Sequence, residues 1–402
     1  MKALFVHRNM PGQFRHLARH LADRGHQVVF ITRRDDRELR GVKRLTYAYP
    51  REVSDKTHIY LRGVEDAVLH GQQVVRICQA LGQQGFIPNL MIGHPGWGET
   101  LFLKEIFPAS PLIAYSEYFF RPDGPMVTFD PEKKQDLNAA CHLRICNAHL
   151  TIALEAADLG WSAMEWQKST YPAVLRDRIR TIFDGIDTNV VKPNPQASFT
   201  LEDGRVLTAE DEVITYVARN LEPVRGFPTF MRALPALLKA RPKATVVIMG
   251  GDEVSYGVGG SKTKWREKML EEVELPPGRV HFFGQSPYDH YLALLQISSV
   301  HVYLTYPFVL SWSCMEALAV GCLVVASATP PVLEVIRDGE NGLLTDFFDH
   351  DKVAADVAAA LENPDRERIR AHARQTIVER YDLAMCIDKQ MEMLREATGQ
   401  DW

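Results

Sequence analysis

The chain opens with a short apolar run, residues 2–7 (KALFVH), that ends in the turn-forming group Asn9–Met10–Pro11–Gly12. The period then changes. Phe14, Leu17, Ala18 and Leu21 recur at helical spacing, Arg15, Arg19 and Arg24 fall on the opposite face, and Gly25 stops the pattern. Val28–Thr32 is a second apolar run. Strand, helix and strand in this order predict a βαβ unit and a parallel sheet, because parallel neighbours need a crossover between them. Asn89–Gly93, Pro111–Tyr115 and Leu150–Leu154 extend the alternation as further expected strands. Pro193–Thr208 interrupts it with a polar stretch holding two prolines. Beyond the break come a strand at Val213–Ala218, a helix at Phe227–Lys239 and a strand at Thr245–Met249, then strands at Val280–Phe283, Val300–Leu304 and Cys322–Ala326. The pattern predicts two doubly wound α/β halves joined by a polar linker, with a cleft at the carboxyl ends of their strands.

A length of 402 residues agrees with two domains, and 46% apolar with 24% charged residues is the composition of a globular protein. The net charge of −5 is uneven: residues 1–190 carry 24 Lys/Arg against 21 Asp/Glu (+3), and residues 191–402 carry 22 against 30 (−8). The basic front suits an anionic ligand or a membrane surface, or is a solvated face. Nucleic acid is not expected, since no strongly basic, aromatic-interleaved stripe is present. Leu292–Met315 has no formal charge, yet its serines, glutamine, histidine and proline read as a buried α/β segment rather than a membrane span. The start of the chain reads as a strand rather than a leader peptide. Six cysteines without CxxC spacing read as buried thiols of a reducing compartment.

Candidate chemistry gathers where strands end. Arg219 follows Val213–Ala218, and Arg225 and Gly226 come just before the next helix; two guanidinium forks beside a helix start suit a diphosphate. Glu316 is the one formal charge in SWSCMEALAVGC, and such a carboxylate needs partners, either a ligand's hydroxyl pair or backbone amides. Ser311, Trp312 and Ser313 begin that helix and would offer N–H groups to an anion. His94, in the loop MIGHPGWGE, and Gly12, after the first strand, lie at strand ends, as does Glu117, a candidate cleft residue on the acceptor side. Walker A, GxSxG, HExxH and GxGxxG signatures are absent, and no metal-ligand cluster emerges. Gly257–Gly260 is glycine-rich but reads as an excursion of a loop.

Taken together, these stretches resemble a known family. ARNLEPVRGF (218–227), VIMGGDE (247–253), VHFFGQSP (280–287) and the long run from 302 to 344 are similar to retaining glycosyltransferases of family 4. The first half joins through residues 9–32, PNLMIGHPGWGE (88–99) and IFDGIDTNVVKP (182–193). HPGWGE with LTYPFVLSWS marks a bacterial subgroup.

The resemblance implies a GT-B fold, two Rossmann-like domains over 1–190 and 191–384, with a last helix at 385–402 completing the first. It gives Arg219 and Arg225 the donor diphosphate, Glu316 the donor ribose, His94 the donor sugar and Gly12 the loop beneath the phosphates. Gln285 and Tyr288 fall near the base pocket. One departure stands out: Phe308 occupies the place of the family's first glutamate, eight residues before Glu316. The implied activity is retaining transfer of a hexosyl group from a UDP- or GDP-linked donor to a glycan, lipid-linked or small-molecule hydroxyl, without cofactor or metal. A nucleotide-sugar epimerase and a noncatalytic nucleotide-sugar-binding protein are the alternatives. The expected location is the cytoplasm, with peripheral contact at the inner face of the membrane.

Overall fold

The computed structural model describes residues 1–49, 51–133, 136–255 and 264–402. They form two compact units, Met1–Gly185 with Leu383–Trp402, and Ile186–Asp382.

The first unit is built on a seven-stranded sheet: β1 (Lys2–Val6), β2 (Gln27–Thr32), β3 (Val42–Thr46), β4 (Leu90–Gly93), β5 (Leu112–Tyr115), β6 (Leu159–Ser162) and β7 (Ile179–Thr181), in the order β3-β2-β1-β4-β5-β6-β7. Every pairing is parallel. The central strands are buried on both faces, as continuous apolar runs require when helices cover a sheet on each side. The expected first helix forms at Arg15–Asp23 and buries Leu17, Ala18 and Leu21; Gly25 follows it with φ +82°.

Leu150–Leu154 corrects the reading of the sequence. It lies inside the helix Ala148–Ala156, which buries Leu150, Ala153 and Leu154 and leaves Ile152 exposed, while the strand is the next segment, Leu159–Ser162. A five-residue apolar run carries no period of its own, and only the i, i+3, i+4 burial separates the two cases.

The second unit carries a small antiparallel hairpin, β8 (Ser198–Thr200) and β9 (Val206–Thr208), and a six-stranded parallel sheet: β10 (Val213–Asn220), β11 (Thr245–Gly251), β12 (Val280–Phe283), β13 (Val300–Tyr303), β14 (Val324–Ser327) and β15 (Leu343–Thr345). Its order is β12-β11-β10-β13-β14-β15. The hairpin occupies the stretch expected to be a linker. Phe199, Leu201 and Leu207 are buried with Val213, Val247, Met249, Leu294 and Ile297, so 197–208 is part of this unit's core.

The chain passes back to the first unit for its last helix, Leu383–Thr398. Gln390 there donates to the carbonyls of Phe183 (3.1 Å) and Asp184 (3.4 Å), and Glu396 pairs with Arg180. Cys78, Cys314, Cys322 and Cys386 are buried, but Cys141 is exposed and Cys146 half-buried, so the thiols are not uniformly core residues. Among the described residues no helix is long and apolar enough to cross a membrane.

Candidate functional site

In a doubly wound sheet the strand order reverses at one point, and the loops leaving the two strands beside it diverge at their carboxyl ends. Those strands are β1 and β4 in the first unit and β10 and β13 in the second. Gly12 follows β1, His94 follows β4, Arg219 and Arg225 stand at or after the end of β10, and Ser311–Ser313 follow β13. Each unit therefore has candidates at its own reversal point, while Glu117 follows β5 and Gln285 and Tyr288 follow the edge strand β12.

In the first unit, Gly12 has φ +49°, and a Cβ there would lie 2.5 Å from His7 Nε2. Only glycine meets both conditions. His7 is buried; its Nδ1 accepts from the Asn9 N–H at 2.8 Å, and its Nε2 lies 2.9 Å from Gln13 Oε1. Gln13 Nε2 donates to Glu117 Oε1 at 2.8 Å. Glu117 Oε2 is 3.5 Å from Nε2 of His94, whose Nδ1 accepts from the Gly96 N–H at 3.0 Å. His94 stacks on Trp97 and on Tyr115, with ring centroids at 4.8 and 5.5 Å. Beside it the buried Glu99 accepts from the Tyr47 phenol (2.6 Å) and Arg8 (3.0 Å), and Arg8 covers the Trp97 ring. Burial, then the Glu99 charge, pushes the Tyr47 phenol far up, so it stays a donor.

In the second unit, the β10 register against β11 shifts between Val217 and Asn220, and Arg219, inside that irregularity, is exposed. Its guanidinium has no ion pair among the described residues. Arg225 is different. It is buried, and its Nη1 donates to Thr305 Oγ1 (2.8 Å), the Val309 carbonyl (3.0 Å) and the Tyr303 phenol (3.3 Å). The expected pair of diphosphate-binding forks is thus one exposed arginine and one buried against the residues that follow β13. Gly226 between them and the helix Phe227–Ala240 has φ +70°, and a Cβ there would overlap Leu304.

Glu316 sits in the helix Trp312–Ala319. It is half-buried, and each carboxylate oxygen accepts a phenol, Oε1 from Tyr288 and Oε2 from Tyr291, both at 2.7 Å. Burial, then the Glu316 charge, raises the Tyr291 phenol well above its ordinary range, so Tyr291 is a fixed donor. Ser311 stands at the N-cap position without a side-chain capping bond, and its N–H donates to the Tyr303 phenol at 2.9 Å, which leaves the anion-facing role expected of it to Trp312 and Ser313. Its hydroxyl meets that of Ser313 at 2.7 Å. Gln285 is exposed and its amide faces Gly251, while Phe308 is buried. Gly257–Gly260 lies outside the described residues. Among the described residues, no group of three or more His, Cys, Asp or Glu is placed to hold a metal ion.

Reading the sequence missed Tyr291, Tyr303, His7 and Gln13. Tyr291 had a signal, since it follows Tyr288 at i+3 and shares its helix face. Gln13 and Tyr303 act through contacts with residues far off in sequence, Glu117 and Arg225, and the hydrogen bonds of His7 are local ones to Asn9 and Gln13.

A model described as "Glycosyl transferase family 4 group" matches residues 24–191, and one described as "Glycosyl transferases group 1" matches residues 200–376. The chain is 29% identical over 198 residues to a D-inositol 3-phosphate glycosyltransferase of Corynebacterium efficiens, covering 48% of this chain and 45% of that protein. It is 28% identical to a phosphatidyl-myo-inositol mannosyltransferase of Mycolicibacterium smegmatis, over 47% and 46% of the two chains. These matches span less than half the length of those relatives. Among solved structures, Anabaena HepE in complex with UDP-glucose superimposes with a TM-score of 0.70 at 16% identity, covering 98% of this chain and 100% of that one. The sucrose-phosphate synthase of Thermosynechococcus elongatus gives a TM-score of 0.74, also at 16% identity, covering 98% of each chain.

Proposed function

The chain is of the glycosyltransferase family 4, GT-B type, and from that premise we propose that it transfers a hexosyl group from a nucleotide diphosphate sugar to an acceptor hydroxyl with retention of configuration. The observation that carries the donor half is Glu316: a carboxylate clamped in place by two phenols, on the loop-and-helix segment that follows β13, with the exposed Arg219 at the end of the neighbouring β10. A fixed carboxylate accepts the paired hydroxyls of a ribose, and a guanidinium fork with helix-start amides accepts a diphosphate. Family resemblance supports the stereochemistry. In the front-face course we favour, the bond from the anomeric carbon to the phosphate oxygen breaks as the bond to the acceptor oxygen forms, and the acceptor's proton passes to the leaving phosphate. Arg219 and the amides at Trp312–Ser313 would stabilise the charge gained there. Arg225, buried, would act by holding the loop Thr305–Val309 in shape. The proposed setting is bacterial glycan or glycoconjugate synthesis in the cytoplasm, with peripheral membrane contact.

Thermal-shift screening of UDP- and GDP-linked hexoses, followed by NMR of each stabilising donor incubated alone and with candidate acceptors, tests this. Release of nucleoside diphosphate with an α-linked product from an α-linked donor is the expected result. Conversion of the donor to its epimer, or the absence of any stabilising nucleotide sugar, would overturn it. The buried Phe308 favours one second reading, a protein that binds the donor and transfers nothing; tight binding without release in any incubation would select it.

A further inference from the structure

Beyond Glu117 the chain runs on through Tyr118, Phe119, Arg121 and Asp123, and with Pro125 and Trp166 these residues line a cavity of about 260 Å³ in the first unit. Hydrogen bonds within the protein fix its walls. The Phe119 N–H donates to Thr170 Oγ1 at 3.0 Å and the Phe120 N–H to Asn147 Oδ1 at 2.9 Å. Gln167, next to Trp166, donates its Nε2 to the Glu117 carbonyl at 2.9 Å. Gly124 closes the turn: its N–H donates to the Arg121 carbonyl at 2.9 Å, and a Cβ there would stand only 2.9 Å from the same oxygen. Within this turn Arg121 and Asp123 form a two-bond pair, Nε to Oδ1 at 3.2 Å and Nη2 to Oδ2 at 3.0 Å. The Arg121 hydrogen bonds hold the Asp123 carboxyl below its ordinary range, so the pair stays ionised and carries no net charge. Burial pushes the Tyr118 phenol up and keeps it neutral.

The lining selects a class of ligand by exclusion. A neutralised arginine does not draw in a phosphate or a carboxylate, and a charged pair does not suit an alkyl chain. The volume falls just below the roughly 300–1,000 Å³ of pockets for drug-sized ligands, room for one ring and too little for a nucleotide. A pyranose fits both halves of this chemistry. Its C–H face packs on aromatic rings, whose faces are electron-rich, and its hydroxyls can donate to the outer lone pairs of Asp123 and accept from Arg121 Nη1. We propose that this cavity binds one neutral sugar ring of the acceptor, next to the ring that receives the hexosyl group near Glu117, so that the acceptor is a saccharide of at least two units. The role of that saccharide rests on the transferase reading, which the cavity deepens; the binding of a neutral sugar ring stands on the cavity alone. A free monosaccharide fills one of the two positions, whereas two linked rings gain the second without a second loss of translational freedom.

The test uses the full chain, fluorescently labelled, on a glycan array running from single sugars to neutral and acidic oligosaccharides, with UDP and UDP-glucose binding measured by calorimetry on the same protein. The expected result is retention of neutral saccharides of two or more units, with single sugars and acidic glycans held about tenfold more weakly. Trp166→Ala should weaken a retained saccharide about three- to tenfold and Trp166→Phe much less, while both bind UDP as the wild type does. Asp123 is exposed, so Asp123→Asn probes the pair without touching the core, and it leaves Arg121 without its counter-charge. Neutral saccharides should then weaken about two- to tenfold while acidic ones gain, an exchange that a merely structural role for Asp123 does not produce. Neutral saccharides held equally by the wild type and all three variants, or no saccharide retained while UDP-glucose binds, would overturn the cavity and leave the transferase reading standing. Single sugars held as tightly as longer ones would remove the second ring. If saccharides bind and respond to the variants while neither UDP nor UDP-glucose binds, the cavity stands and the nucleotide-sugar reading falls. Silence toward every probe overturns the cavity.

Discussion

Replacing Tyr291 with phenylalanine removes one oxygen from the second unit and keeps the ring. That oxygen donates to Glu316 Oε2 at 2.7 Å, and the phenol stays protonated because burial and the Glu316 charge both oppose its ionisation. Hydrogen bonds to ionised groups contribute about 1.5–3 kcal/mol. Glu316 is half-buried, so solvent screening sets the lower end, about 1.5 kcal/mol. Two losses should follow. The unfolding free energy should fall by about 1–2 kcal/mol, and the carboxylate, with its Tyr288 bond kept and its Tyr291 bond lost, should present ribose hydroxyls with a less fixed plane. A cost of about 1.4 kcal/mol in that contact is tenfold in affinity. Calorimetric titration of wild type and Tyr291→Phe with the preferred nucleoside diphosphate, and with its 2′- and 3′-deoxy forms, reads this directly. The variant should lose about tenfold on the ribonucleotide and much less on whichever deoxy form lacks the clamped hydroxyl. Equal losses on all forms would mean that the effect is structural. Unchanged affinity with a normal melting profile would remove Glu316 from the ribose.

Arg219→Ala should weaken a nucleoside diphosphate by tenfold or more, about 1.5–3 kcal/mol, and leave the nucleoside unaffected; the same loss for both would take Arg219 out of the phosphate site. Phe308→Glu would bury a carboxylate where an aromatic ring now packs, costing several kcal/mol of stability and giving no rise in turnover; a faster enzyme on the native donor would refute this. His301 is fully buried with Nδ1 2.9 Å from Thr215 Oγ1, and burial pushes it down to about 3. Between pH 6.5 and 3 the unfolded chain therefore binds a proton that the folded one does not, so stability falls with pH by up to about 1.4 kcal/mol per unit. Denaturation at pH 7 and pH 5 should show a steeper decline for wild type than for His301→Gln, and equal declines would assign the pH dependence elsewhere.

Strand positions were legible where apolar runs are bounded by turn residues: Val280–Phe283 forms as expected, and β1, β4, β5, β10 and β13 differ only at their ends. Apart from the edge strand β12, whose four residues are half-buried, these runs are largely buried within a parallel sheet, so their apolar composition located them. Leu150–Leu154 failed because a helix turn and a strand have the same composition over five residues. The stretch around Pro193–Thr208 failed because its four buried apolar residues are spaced among polar ones, and their burial is decided by packing on distant residues such as Val213, Val247 and Leu294. The candidate residues were legible by type: His94 and Arg219 as polar residues at strand ends, and Glu316 as the lone charge of an apolar helix. The pairings were not. The Tyr291–Glu316 bond spans 25 residues and the Gln13–Glu117 bond 104, and no local pattern encodes a pairing that only the strand order creates.

The return of the last helix to the first unit has a consequence for synthesis. Gln390 closes on the Phe183 and Asp184 carbonyls across 207 and 206 residues, and the whole second unit lies in the intervening loop. A chain emerging from the ribosome thus exposes the seven-stranded sheet first yet cannot finish it. The second unit, contiguous in sequence, has its full complement of strands and helices before the first does. Closing so long a loop costs little more than closing one of half the length, since the entropy grows only with the logarithm of loop size. What is lost is time, because distant contacts form slowly. Until residue 398 is released, the flank of the sheet beside Phe183 waits uncovered, a surface that a chaperone or a neighbouring nascent chain can reach.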